Sequence, residues 1–95
     1  MKISEINIDL VKPKDGLIGF ASLVIDESIY LGSIGVMKRL DAESYRLVFP
    51  TKKIGNRNFN FFFPINNEAG RLLESAVSEK LIEIINSNEK NNQLL

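Results

Sequence analysis

The chain contains no cysteine, no histidine and no tryptophan. Without cysteine there is no thiolate nucleophile and no disulfide scaffold, which fits a reducing compartment. Without histidine no Ser-His or Cys-His pair can form, and no imidazole base is present. A structural zinc site loses its usual ligands as well. The carboxylates of the first half, Asp9, Asp15, Asp26 and Glu27, show no spacing suited to paired acid-base work and read as turn residues and solvated faces. Long apolar runs are also missing. The opening "MKISEINIDL" mixes charge with apolar residues and has no long apolar stretch, so no secretory leader is expected, and no run is long enough to span a bilayer. A cytoplasmic, non-enzymatic protein is expected, with no cofactor, no metal, no membrane partner and no small-molecule substrate.

At 95 residues the chain is expected to form one domain, residues 1–86, followed by a polar, disordered tail, residues 87–95. A chain of this size buries roughly two-thirds of its unfolded surface, so its core is thin. "INIDLV" alternates, with Ile6, Ile8 and Leu10 on one face, and reads as a half-buried strand. "PKDG", Pro13 to Gly16, is a turn signal. "LIGFASLVI" follows as a strand apolar on both faces. "IYLGSIGVM" is a third strand whose Gly32 and Gly35 suggest a bulge, a bend or close backbone approach. Lys38 to Glu43 reads as a charged loop, "SYRLVF" as a fourth strand ended by Pro50, and "TKKIGNRN" as an exposed loop or wide hairpin connection. "FNFFF" is the expected fifth strand, closed by Pro64. A helix then starts at Asn66 or Asn67, with Glu68 in its first turn and Leu73, Val77, Leu81 and Ile84 on one stripe. The fold class is α+β: an antiparallel five-stranded meander with a carboxy-terminal helix. Thin core volume and unpaired sheet edges point to a homodimer.

Formal net charge is zero, but it is unevenly distributed. Residues 38–71 hold seven bases against three acids, or +4, while the segments before and after are each at −2. No acid occurs between Ser44 and Asn67. A local basic face can therefore exist on a neutral molecule. Next to those bases lie Phe59 and Phe61 to Phe63. Aromatics beside cations can stack nucleic-acid bases. Burial of a phenylalanine is worth roughly 1.5–3 kcal/mol, however, and a small domain needs that. Phe59, Phe61 and Phe63 are thus expected in the core under the helix, with Phe62 pointing the other way. Lys52 and Lys53 read either as solvated charge or as phosphate contacts. Arg71 reads either as a phosphate contact at the helix start or as the partner of Glu68 or Glu74.

"KISEINIDLV", "GLIGFASLVID", "LVFPTKK" and "FFFPIN", in that order and spacing, resemble the stage V sporulation protein G family, also called septation regulators. The likeness runs from about Lys2 to about Ile85. The chain resembles a divergent member: "YLGSI" stands where the family usually has histidine and aspartate, and phenylalanines precede "PIN" where it usually has charge. The resemblance implies a homodimeric bacterial regulator of septation or sporulation that binds DNA or RNA with little sequence preference. By position it assigns that binding to Lys52, Lys53, Arg57 and Arg71. The alternative is a protein-interaction module without nucleic-acid activity, which zero net charge favours.

Overall fold

The computed structural model describes residues 1–39 and 44–93, with side chains described through Ser87. Leu40 to Glu43 of the expected charged loop, and Leu94 and Leu95, lie outside the described residues. Four strands form one antiparallel sheet in sequence order: β1 (Ile3–Lys14), β2 (Leu17–Ile25), β3 (Ile29–Lys38) and β4 (Tyr45–Val48). A second, two-stranded sheet pairs β5 (Thr51–Ile54) with β6 (Arg57–Asn60), and α1 (Asn67–Gln93) follows.

Two tight turns set the meander. Asp15 and Gly16 both have positive φ, 53° and 89°, between the paired residues Lys14 and Leu17. That is a type I′ hairpin loop, whose twist matches the flanking strands. The expected turn thus narrows to Asp15–Gly16, and Pro13 belongs to β1. Proline has no N–H to donate, so an edge strand is where it can be housed. Asp26 and Glu27 make a second such turn at φ 50° and 55°, closed by the Ser28 N–H donating to the Ile25 carbonyl at 3.0 Å. Lys2 ties the chain start to this turn. Its backbone N–H donates to Asp26 Oδ1 at 2.8 Å, and its Nζ meets Glu27 Oε1 at 2.7 Å.

Bulges adjust which residues face inward. Glu5, at φ 50°, is the extra residue between the pairs Ser4–Val24 and Asn7–Ser22. The phase of β1 flips there, so Ile3 packs on the same core as Ile6 and Ile8. Leu10, expected on that face, is exposed. Ser33, at φ 59°, gives β3 one extra residue opposite β2, beside Gly32 as anticipated. Gly19 answers to close approach: a Cβ built there would lie 2.7 Å from the Asp9 carbonyl oxygen.

The core is the interface of α1 with one sheet face. Ala21, Leu23, Ile34, Val36 and Leu47 from the sheet meet Leu73, Val77 and Leu81 from the helix, all buried. Spacing of four residues keeps the helical set on one stripe. Ile85 also packs against this cluster. Asn66 caps the helix, its Oδ1 accepting from the Ala69 N–H at 2.8 Å. The helix is continuous to Gln93, so the polar stretch from 87 that composition assigns to a disordered tail is helical backbone as far as residue 93.

The five-stranded meander is corrected to four strands plus a separate hairpin. Gly55–Asn56 closes β5 on β6 locally, so Phe61 to Phe63 lie outside any strand. The side-chain phase is also reversed from expectation. Phe59, Phe61 and Phe63 are 45%, 66% and 56% exposed, whereas Phe62 turns inward against the core. A one-residue change of phase moves every side chain to the opposite face.

Candidate nucleic-acid interface

Pro50 ends the pairing of β4, and the chain then doubles back on itself. Gly55 takes φ 62° at the first turn position, and Ile54 pairs with Arg57 around it. Glycine is the residue that reaches this conformation without steric cost. The ladder continues through Lys53–Asn58, Lys52–Phe59 and Thr51–Asn60. Phe61 extends it by one step, its N–H donating to the Pro50 carbonyl at 2.9 Å. Every residue from Thr51 to Asn60 is exposed, so this hairpin is an arm that stands off the sheet-helix body. The radius of gyration, 14.6 Å, exceeds the roughly 12 Å of a compact chain this long, as a projecting arm and a long helix require.

Strand alternation sorts the arm into two faces. Lys52, Ile54, Arg57 and Phe59 share one. Thr51, Lys53, Asn58 and Asn60 share the other. The three cations expected from sequence are thus brought onto one element, with Lys52 and Arg57 together and Lys53 behind them. The ion pairs among the described residues are Lys2–Glu27, Arg39–Glu74 and Lys80–Glu83, so none engages Lys52, Lys53, Arg57 or Arg71. With no acid from Ser44 to Asn67, the arm's own sequence offers these cations no internal counter-charge.

Arg71 is not on the arm. It is exposed on α1, beside a shallow crevice formed with Pro64, Asn66, Gly70 and Glu74. Neither acid expected to pair with it does so: Glu74 holds Arg39 at 3.3 Å instead. Gly70 is not demanded by close packing, since a Cβ there would meet Pro64 at an ordinary 3.7 Å.

Sequence reasoning misplaces the aromatics and leaves the arm open between two readings. The aromatics expected in the core are exposed, and of the two readings open for "TKKIGNRN", exposed loop or hairpin connection, the structure takes the hairpin. The second had a usable signal, a Gly-Asn pair between two strand-forming ends. A further basic side chain, Arg46, is exposed on β4. Chemically, the arm can donate flexible charge-assisted hydrogen bonds to phosphate-like anions and can present aromatic faces to solvent.

The sheet face away from α1 is uncovered by the described residues and mixes exposed rings with charge, Asp9 standing opposite Phe20 and Arg46 two residues before Val48. Phe20, Gly35 and Val48 are successive cross-strand partners there, and Tyr30 is exposed too. No described helix is long and apolar enough to cross a membrane. No family model, no curated protein and no solved structure matches this chain.

Proposed function

We propose that this chain is a non-enzymatic regulator of the septation and sporulation type, binding DNA or RNA with low sequence specificity and working as a homodimer. The observation that carries the reading is the arm: an exposed hairpin with Lys52, Lys53 and Arg57 and no acid in its neighbourhood of the sequence. Lysine and arginine on such a surface contact phosphates, which gives affinity without sequence information. Arg71, unpaired among the described ion pairs at the start of α1, is a second phosphate contact in this reading. The homodimer draws support from the uncovered sheet face carrying Phe20, Tyr30 and Val48.

The test is fluorescence anisotropy of a short labelled strand, as DNA and as RNA, at low and moderate salt. Three phosphate contacts per arm give a slope of log affinity against log salt of about −2 for single strands. The double change Lys52→Glu, Lys53→Glu is expected to abolish most of that binding. A second reading, a protein-interaction module, is favoured by the same uncovered sheet face with its exposed Phe20, Tyr30 and Val48. Absence of binding to either nucleic acid at low salt would select it.

A further inference from the structure

We infer that the arm takes single-stranded nucleic acid, stacking bases on Phe59 and Phe61 while Lys52 and Arg57 hold the flanking phosphates. The inference rests on the nucleic-acid reading above and deepens it. Phe59 and Phe61 are 45% and 66% exposed, in a domain whose core has already enlisted Phe62. They lie two residues apart along one side of the ladder, because the Phe61 N–H to Pro50 bond keeps the register of Thr51–Asn60. By register Phe59 shares its face with Arg57 and stands directly opposite Lys52, and the bond to Pro50 continues that register one step past the strand end to Phe61. Cations and aromatics interleave on that face, and no acid in this part of the sequence opposes a polyanion.

Geometry selects the class of strand. Residues i and i+2 of a strand are about 6.7 Å apart. Bases in a duplex strand are stacked at about 3.4 Å, with their faces covered by neighbours. Two rings at twice that step match a strand that is drawn out and unpaired, whose base faces are free without unstacking a duplex. Stacking of this kind tolerates any base, in keeping with low specificity. The reverse face, Thr51, Lys53, Asn58 and Asn60, is wholly polar and carries no ring.

The experiment uses the full chain and three labelled probes of equal length: a single strand as DNA and as RNA, the matching duplex, and a strand whose backbone is intact but whose bases are removed. Single strands of either sugar are expected to bind at least tenfold more tightly than the base-free strand and the duplex. The DNA and RNA arms show whether the sugar matters. The double change Phe59→Leu, Phe61→Leu keeps apolar area but loses the ring faces, and it is expected to lower single-strand affinity tenfold or more. The protein has no tryptophan, so Phe59→Trp supplies a lone indole whose fluorescence a stacked base quenches. Equal, salt-sensitive affinity for the base-free strand, without quenching, overturns stacking and leaves the phosphate-binding arm standing. Tighter binding of the duplex overturns it likewise. No binding to any probe at low salt overturns both readings together.

Discussion

Phe62 meets Phe49 edge to face, ring centroids 5.8 Å apart and planes at 77°, while its neighbours Phe61 and Phe63 turn to solvent. One aromatic of the run is thus structural, and the remainder stay free for contact. Edge-to-face pairs add about 0.5–1.5 kcal/mol beyond burial. Phe62→Ala is expected to cost about 2–3 kcal/mol in urea unfolding. Phe61→Ser is expected to change stability by less than about 0.5 kcal/mol. A larger cost at Phe61 than at Phe62 would show that the run packs in the opposite phase.

Two glycines predict opposite outcomes for the same substitution. Gly19→Ala would drive its Cβ to within 2.7 Å of the Asp9 carbonyl oxygen, so β1 must shift. A loss of about 1–3 kcal/mol is expected. Gly70→Ala adds a Cβ at ordinary contact distance inside a helix. It is expected to gain about 0.5–1 kcal/mol, since alanine is the better helix former. Thermal unfolding of both variants checks the pair.

Glu27 sits at φ 55° in the β2–β3 turn. A non-glycine residue there costs about 1–2 kcal/mol, partly offset by glycine's greater freedom in the unfolded chain. Its ion pair with Lys2 is between exposed side chains and contributes little. Glu27→Gly is therefore expected to raise stability by about 0.5 kcal/mol, a melting shift of a few degrees.

Arg71 stands on α1 and Lys52 on the arm, so their contributions separate. Arg71→Ala is expected to leave the melting temperature unchanged and to reduce the salt slope of nucleic-acid binding by about one phosphate. An unchanged slope would confine binding to the arm.

The meander was legible because its signals are local. Asp15–Gly16 names its turn, and alternation names the first strands. The helix was legible because Leu73, Val77 and Leu81 repeat at a helical interval and Asn66 can cap. The phenylalanine run was misread because four rings in five positions carry no periodicity, and only tertiary packing selects which one turns inward. The cations were found by composition, yet their shared element depended on pairing Ile54 with Arg57. The flip at Glu5 has no local mark, since nothing in "SEIN" separates a bulge from a regular strand.

The two edges of the main sheet are poor templates for another strand. β1 is kinked at Glu5, loses register again between Leu10 and Lys14, and ends in Lys12, Pro13 and Lys14. β4 spans four residues, and Pro50 follows shortly after it. Bulges, lysine, proline and shortness are the devices that keep sheets from joining edge to edge into aggregates. The main sheet can therefore expose Phe20 and Tyr30 at high concentration without its edges templating a neighbour's strand.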